Sequence, residues 1–278
     1  QQDHVLPRMA AAEDLWCQGW SEPNAGSDLA AVRSKATRVD GGWVLDGQKT
    51  WTTRGAFCTH LFGLFRTDPD SERHRGLTYL MVPLDLDGVT VRGFGRLDGD
   101  EGFAEVFFED AFLPDDAFPG GPVLGEVDQG WRVAMATTGS ERGLTLRSPG
   151  RFRATAQRLI ALWNESVPNR PREPVRDRLV DAWIRAEAYD AFTLQTVTGI
   201  ARGEEPGAES SLNKIWWSEL DVALHRVALD LLGPDSEREG PWSKGWQFSL
   251  SGPIYAGTNE IQRNIAAERV LGLPRVGR

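Results

Sequence analysis

The stretch WCQGWSEPNAGSD, residues 16–28, is the most informative part of this sequence. Its Ser21-Glu22-Pro23 and Asn24-Ala25-Gly26-Ser27 runs combine turn-forming and small hydroxyl residues with exposed backbone amides. Such a loop suits a flat, hydrogen-bonding ligand or a phosphate. Composition alone favours a plain hairpin turn, so the stretch must be interpreted together with its surroundings.

The sequence around this stretch, as far as residue 125, has the pattern of short β-strands. Asp40-Gly41-Gly42 and Asp46-Gly47 are turn signals that bracket a predicted strand GWVLDG. Four more strands are predicted between turns rich in Asp, Pro and Gly: LFGLFRT (61–67), GLTYLMVP (76–83), VTVRGFG (89–95) and AEVFFEDAFL (104–113). The pattern predicts a barrel or sandwich, and three Asp-Gly turns predict hairpins and therefore antiparallel pairing.

Beyond Pro122 the sequence changes to helical patterns. A long helical segment covers residues 133–163, and a second covers residues 176–203 and ends at Gly203. A third helix is predicted over residues 209–233, and a last one begins near Thr258. The order predicts an α+β fold in which an antiparallel helical bundle follows a β domain.

The C-terminal stretch IYAGTNEIQRNIAAERVLGLPR, residues 254–275, is the second informative segment. Gly257-Thr258-Asn259 has the pattern of a loop that enters a helix. A helix start offers free amides and the positive end of a dipole, which suit a pyrophosphate. Taken alone, the segment is better interpreted as an ordinary capped helix.

Composition and spacing exclude several classes of function. A net charge of -9 argues against nucleic acid or an anionic membrane as the main partner. No stretch approaches the roughly 20 apolar residues of a membrane span. Cys17 and Cys58 form no disulfide framework, and free thiols are consistent with a cytoplasmic protein. The four histidines lack metal-ligand spacing and GxSxG is absent, so neither a metal site nor a serine hydrolase is predicted.

Five segments, in this order, resemble the acyl-CoA dehydrogenase family: WCQGWSEPNAGSDLA, GQKTWTT, HRGLTYLMVP, LGEVDQGWRVAM and YAGTNEIQRNIAAERVLG. The resemblance covers nearly the whole chain and implies the family's fold without its N-terminal helical domain. It implies that residues 1–11 are the end of a truncated helical domain, residues 12–125 the middle β domain, and residues 126–278 an antiparallel four-helix bundle. It also implies FAD as cofactor and an acyl-CoA thioester as substrate.

The resemblance also implies which residues contact the flavin. Trp20 and Ser21 match positions at the pyrimidine side of the ring, and Ser27 matches a position near the phosphates of the ligands. Trp51 matches a residue that packs against the ring, and Thr53 one that hydrogen-bonds near the hydride-accepting nitrogen. Three further matches complete the expected flavin site: Gln18, and, for the ribityl or phosphate part, Thr258 and Glu260. Taken alone, Trp51 and Thr53 would be a half-buried strand pair.

The catalytic base is expected at Glu141. Many relatives carry the glutamate directly after the tyrosine of the C-terminal segment, where this chain has Ala256, which cannot take a proton. A minority branch, which includes isovaleryl-type enzymes, places it on the first long C-terminal helix, and GSERG aligns Glu141 there. The resemblance further implies that the backbone amide of Ala256 donates to the thioester carbonyl and that Arg142 supports the site electrostatically.

Two departures from the family concern the flavin. The Arg-x-x-Phe-Gly pattern that grips a neighbouring subunit's flavin is absent, and Arg147, Arg151 and Arg153 remain alternative replacements. Where relatives have Gln-x-x-Gly-Gly, this chain has Asp-Leu-Leu-Gly-Pro ending at Pro234, which removes an amide near the dinucleotide phosphates.

Three functions are compatible with these residues. The first is a catalytic dehydrogenase that passes electrons to an electron-transfer flavoprotein or a similar acceptor. The second is a catalytically silent subunit that binds flavin or acyl-CoA in a hetero-oligomer, and the third is a flavoprotein oxidase or monooxygenase. Family resemblance implies a homo-oligomer, as a dimer of dimers, or a hetero-oligomer. By analogy, the position of Glu141 favours branched, bulky or polycyclic thioesters.

Overall fold

A computed structural model describes residues 1–144, 147–165, 173–204 and 207–275, and the side chains of residues 139–144 lie outside this description. By its internal contacts the chain separates into two compact units, Gln1–Gly139 and Ser140–Arg278. Domain limits at residues 11 and 125 stay predictions. Each unit is described by itself below.

The first unit contains a short helix, a seven-stranded sheet and the start of a longer helix described below. The helix is α1 (Gln2–Ala10), and the strands are β1 (Trp16–Gly19), β2 (Lys35–Val39), β3 (Gly42–Thr53), β4 (His60–Arg66), β5 (Leu77–Pro83), β6 (Val89–Phe94) and β7 (Phe103–Pro114). The strand order is β1-β4-β2-β3-β7-β6, and β5 pairs with the other edge of β4. The four strands predicted after residue 60 are confirmed as β4 to β7.

The prediction of antiparallel pairing throughout was wrong, because the sheet is mixed. β1 pairs with β4 in parallel, with Cys17 opposite Leu61, and β2 also meets the end of β4 in parallel. The chain between β1 and β4 includes the β2–β3 hairpin, and so long a connection allows it to return in the same direction. The remaining pairs are antiparallel.

Asp46-Gly47 does not end a strand, contrary to the prediction. β3 continues through it, and the register with β7 shifts between Leu45 and Gly47, which marks a β-bulge. Gly47 has a φ of +136°, and a Cβ there would lie 2.5 Å from Ser34 Oγ, so the backbone passes too close for a side chain. Asp40-Gly41 does form the predicted hairpin turn, between β2 and β3.

This unit has two hydrophobic clusters, a smaller one that includes Leu64 and Tyr79, and a larger one. The larger cluster contains the side chains that alternate inward along the strands, including Trp43, Leu45, Leu61, Phe65 and Val106. Phe65 and Phe108 meet edge to face with their ring centroids 5.3 Å apart. Burial of these alternating residues explains why the strand pattern was legible in the sequence.

The second unit is helical. Its elements are the end of α2 (Gly130–Leu144), which begins in the first unit, then α3 (Pro149–Glu165), α4 (Glu173–Ala201), α5 (Ser210–Leu232), α6 (Pro241–Ser249) and α7 (Asn259–Ile265). The segment predicted as one long helix from residue 133 is divided between α2 and α3. Proline is favoured in the first turn of a helix, and Pro149 begins α3.

Three long helices, α3, α4 and α5, pack on one another, and α6 and α7 pack on α5. Their shared core includes Phe152, Leu159, Tyr189, Trp217 and Leu224. The third predicted helix is confirmed as α5, which ends before Gly233, and the last one is confirmed as α7. A four-helix bundle and a closed barrel stay predictions.

None of the helices in the described part of the chain has the length and hydropathy that crossing a membrane requires. Among the same residues, no group of His, Cys, Asp and Glu side chains is arranged to hold a metal ion.

Candidate functional site

The loop that follows β1 is a tight turn fastened to strand β3. Glu22 and Ala25 exchange two backbone hydrogen bonds of 2.9 and 3.0 Å, so that Pro23 and Asn24 form the tip. The carbonyl of Ser21 accepts a 2.9 Å hydrogen bond from the amide of Thr50. The plain-turn interpretation and the ligand-loop interpretation are therefore compatible, since the turn exists and the loop is held beside the strand that carries Trp51.

A buried ion pair anchors this loop. The Nζ of Lys49 lies 2.8 Å from Oε1 of Glu22, and both side chains are inaccessible or nearly so, at 0% and 8% exposure. Glu22 also accepts hydrogen bonds from the amides of Arg33 (2.6 Å) and Ser34 (2.8 Å). Lys49 donates a second bond to the carbonyl of Leu64 at 2.6 Å. Each buried charge is thus paired and further hydrogen-bonded, which is the condition for tolerating it.

The ion pair also perturbs the titration of both groups. Burial by itself would raise the pKa of Glu22, but the Lys49 ammonium and the two backbone amides bring it below its usual value. Burial lowers the pKa of Lys49, against the opposing effect of the Glu22 carboxylate. Neither residue was predicted from the sequence. No signal in the sequence marked them, because a lysine in a strand normally reaches solvent.

Trp51 is held in an unusual backbone conformation and presents its ring to solvent. Its φ is +57°, a region that residues with a Cβ seldom adopt, at a second bulge where the β3–β7 register shifts between Lys49 and Thr52. The side chain is 60% exposed and packs edge-on against Phe94 and Phe103, with centroids 5.2 and 5.5 Å away. Thr53, two positions further along the strand, is also exposed. Trp51 is therefore not the half-buried strand residue of the alternative interpretation, and strained residues of this kind concentrate at functional sites.

The other predicted flavin residues of the first unit have diverse surroundings. Gln18 lies half-buried on β1, opposite Phe62 of β4. The indole Nε1 of Trp20 donates a 2.8 Å hydrogen bond to the hydroxyl of Tyr79, and the two rings meet edge to face. Ser27 is exposed beyond the tip of the loop. Tyr79, which orients Trp20, was not singled out in the sequence.

The C-terminal segment turns sharply before α7. Ala256 and Gly257 have φ values of +54° and +78°, so two consecutive residues are in the left-handed region. The amide Nε2 of Gln262 donates a 3.0 Å hydrogen bond to the carbonyl of Ala256 and closes the turn. The Thr258 hydroxyl accepts from the amide of Ile261 at 3.3 Å and caps the seven-residue helix. The amide of Ile261, one of those at the helix start that a phosphate would bind, is therefore already hydrogen-bonded to Thr258.

Glu260 lies in the first turn of α7 with its side chain exposed. Its own backbone amide and the Thr258 hydroxyl hold the pKa of this carboxyl below its usual value. Thr258 and Glu260 thus lie on one short segment with Ala256.

The predicted base, Glu141, and its neighbour Arg142 belong to α2. The helix α2 continues through positions 141 and 142, but the side chains of Glu141 and Arg142 lie outside the described residues.

The three alternative arginines are all engaged within the second unit. Arg147 donates to the hydroxyl of Tyr255 at 2.9 Å, and Arg151 pairs with the buried Asp221 at 2.8 Å. Arg153 bonds Glu187 at the surface. The choice among them as a flavin-gripping residue stays open.

The structure therefore brings the predicted residues together in two sets. Ser21 and Trp51 are connected through the Ser21–Thr50 hydrogen bond in the first unit. Ala256, Thr258 and Glu260 share one turn in the second. Sequence reasoning missed the polar residues that fasten each set: Glu22 and Lys49 in the first, and Lys214 and Asn259 in the second.

Two family models match the chain. The acyl-CoA dehydrogenase middle domain matches residues 17–111, and the acyl-CoA dehydrogenase C-terminal domain matches residues 128–271. The chain is 41% identical over 283 residues to the acyl-CoA dehydrogenase IpdE1 of Mycobacterium tuberculosis, covering 99% of this chain and 71% of that protein. It is 34% identical over 280 residues to the acyl-CoA dehydrogenase FadE34 of the same species, covering 99% and 37%.

Solved structures agree with these matches. The fold is similar to the ChsE4-ChsE5 complex from Mycobacterium tuberculosis, with a TM-score of 0.85 and 26% identity over 99% of this chain and 73% of that one. It is also similar to the Tcur3481-Tcur3483 steroid ACAD, with a TM-score of 0.88 and 23% identity over 99% and 72%. This chain belongs to the acyl-CoA dehydrogenase family of enzymes and comprises the family's middle and C-terminal domains.

Proposed function

We propose that this protein performs FAD-dependent α,β-dehydrogenation of an acyl-CoA thioester. The observation that carries the proposal is the hydrogen bond between the Ser21 carbonyl and the Thr50 amide, which fastens the turn-rich loop beside the strained, exposed Trp51. A loop rich in backbone donors next to a presented aromatic ring is the surface that a flat heterocycle requires.

The residues of the first unit fit a flavin. Among the described residues, none hydrogen-bonds the hydroxyl of the half-buried Ser21, which leaves it available to a ring heteroatom. Trp51 would pack against the ring, and Trp20, Gln18, Ser27 and Thr53 would contribute polar or apolar contacts around it. Members of this family typically use FAD. When bound, FAD supplies the acceptor for the hydride that leaves the β-carbon.

Proton removal is assigned to Glu141 in this proposal. The carboxylate takes the α-proton of the thioester, and the amide of Ala256 donates to the thioester carbonyl as negative charge develops there. Arg142 supports this charge without transferring a proton. The left-handed conformation of Ala256 supports the proposal, because residues held in such strained conformations concentrate at active sites.

Anaerobic titration of the FAD-loaded protein with acyl-CoA thioesters tests the proposal. The panel compares straight-chain, branched and polycyclic acyl groups, and the absorbance of the oxidised flavin is followed. We expect one class, branched or polycyclic, to bleach the flavin band stoichiometrically. An unchanged band with every thioester would contradict the dehydrogenase function.

A second candidate function is a flavin- or acyl-CoA-binding subunit that is catalytically silent in a hetero-oligomer. Ala256 and Pro234 favour it, since both replace residues that serve chemistry or phosphate binding in relatives. This function would be identified if the thioester bound without bleaching the flavin and addition of a second subunit restored the bleaching. Hydrogen peroxide formation under air at the rate of substrate oxidation would instead identify an oxidase.

Replacing Trp51 by leucine is expected to weaken FAD binding about tenfold. The indole offers a stacking surface already oriented by Phe94 and Phe103, and an aromatic pair contributes about 0.5–1.5 kcal/mol beyond its area. The dissociation constant is measured by flavin fluorescence on titration of apoprotein. Phe57→Leu is the matched control, because Phe57 is 57% exposed and has no predicted flavin contact. If both substitutions weakened FAD binding equally, Trp51 would not be part of the flavin site.

A further inference from the structure

The segment Tyr255–Asn259 is anchored on both sides of its left-handed turn. On the first side, Nη2 of Arg147 donates to the hydroxyl of Tyr255 at 2.9 Å. The guanidinium also lies over the rings of Trp217 and Tyr255, 5.3 and 5.7 Å from their centroids. Trp217 in turn packs against Tyr255 with centroids 5.8 Å apart. The Tyr255 ring is thus fixed by a cation, a hydrogen bond and an aromatic contact.

On the second side, Asn259 is buried at 3% exposure, and both ends of its side-chain amide are hydrogen-bonded. Its Oδ1 accepts from Nζ of Lys214 at 2.8 Å and from the hydroxyl of Ser218 at 3.1 Å. Its Nδ2 donates to Oε1 of Glu219 at 3.2 Å, and its backbone amide donates to the carbonyl of Pro253 at 2.8 Å. Because two donors face the oxygen and a carboxylate faces the nitrogen, only one orientation of the amide satisfies every partner.

The two residues between these anchors depend on them to keep an unfavourable backbone conformation. Ala256 and Gly257 occupy the left-handed region in succession, and alanine adopts it rarely because of its Cβ. A residue in such a conformation persists only when its surroundings determine it. α5 supplies Lys214, Ser218 and Glu219, so one rigid helix sets the second anchor. The first anchor likewise combines Arg147, from just before α3, with Trp217 of α5.

We propose that Asn259 and Tyr255 are positioning residues, which hold the turn so that the Ala256 amide points at the thioester carbonyl. This rests on the proposed function, because the amide matters only if an acyl thioester binds there. Asn259 fixes one side of the turn through its hydrogen bonds to side chains of α5. Tyr255 fixes the other side through its contacts with Arg147 and Trp217. Neither touches the reacting atoms.

The experiment compares Asn259→Ala with Asn213→Ala. Asn213 is a matched control because it is also buried, on the same helix as Lys214, but bonds Thr196 on α4 instead of the turn. Both substitutions are expected to lower thermal stability, because each removes a buried hydrogen-bonding side chain. Only Asn259→Ala is expected to slow flavin reduction in a single turnover, by about tenfold per bound flavin, because a misdirected donor loses transition-state stabilisation.

A second readout separates this inference from the proposed function. A bound 3-oxoacyl-CoA ionises to an absorbing enolate, and an aimed amide donor makes that enolate form at lower pH than in water. We expect Asn259→Ala to move its formation to higher pH. Tyr255→Phe removes only the hydroxyl that Arg147 contacts, and it is expected to move enolate formation to higher pH as well. This second variant keeps the test valid if Asn259→Ala fails to fold.

The outcomes are distinct. If no thioester reduces the flavin of the unmodified protein, the proposed function fails. If a thioester does reduce it, the positioning role is overturned when the unmodified protein does not promote enolate formation, or when both Asn259→Ala and Tyr255→Phe retain its pH dependence and single-turnover rate.

Discussion

Replacing Glu141 by glutamine is expected to slow reduction of bound flavin by an acyl-CoA thioester by about 10²- to 10⁴-fold. A positioned general base contributes a factor of this size, and glutamine keeps the shape of the side chain while losing its ability to take a proton. Ala256, at the position that carries the base in many relatives, offers no alternative acceptor. The measurement is an anaerobic stopped-flow single turnover, normalised to bound flavin.

Glu165→Gln serves as the control for Glu141→Gln. Glu165 is an exposed glutamate at the end of α3, so its replacement removes the same charge from the same unit. Its single-turnover rate should match that of the unmodified protein, and thioester affinity should change little in either variant. A Glu141→Gln protein that is reduced at the original rate would show that the base lies elsewhere.

Replacing Lys49 by methionine is expected to destabilise the protein by about 3–5 kcal/mol. The substitution leaves the Glu22 carboxylate buried without its cation, and an uncompensated buried charge has a cost of this order. The free energy of unfolding is measured from urea titrations that follow tryptophan fluorescence. FAD content should fall in parallel, because Glu22 belongs to the loop that carries Ser21.

Two controls separate the loss of the pair from the loss of a lysine. The double variant Glu22→Gln/Lys49→Met removes both charges and should recover most of the lost stability, since no unpaired ion is left buried. Arg73→Met breaks the exposed Arg73–Asp28 pair and should cost less than about 1 kcal/mol. If Lys49→Met were as mild as Arg73→Met, the buried pair would not anchor the fold.

How much could be predicted from the sequence depended on whether a feature was local. Strands β4 to β7 could be recognised because they are short apolar runs between turns, and their apolar side chains pack in the hydrophobic clusters of the first unit. The parallel pairing of β1 with β4 was not, since it depends on where the chain returns after the β2–β3 hairpin. The bulge at Gly47 escaped prediction for a similar reason: the close approach of Ser34 belongs to a neighbouring part of the fold.

The candidate site shows the same division. The segments that carry Ser21, Trp51 and Ala256 could be recognised by resemblance, because their residue order is distinctive. The left-handed φ of Ala256 and the bonds of Asn259 to α5 could not, since both depend on side chains about 40 residues away in sequence. Lys49 gave no chemical signal of its own, because a strand lysine normally reaches solvent.

The bulge in β3 between Lys49 and Thr52 has a consequence for sequence alignment. Side chains normally alternate between the two faces of a strand, but here Lys49 and Thr50 are both buried before Trp51 turns outward. A single deleted residue in this stretch would exchange inward and outward positions, and put either the lysine or the tryptophan on the wrong face. Any homologous sequence that keeps both the buried lysine and the exposed tryptophan should therefore align without a gap from Lys49 to Thr53.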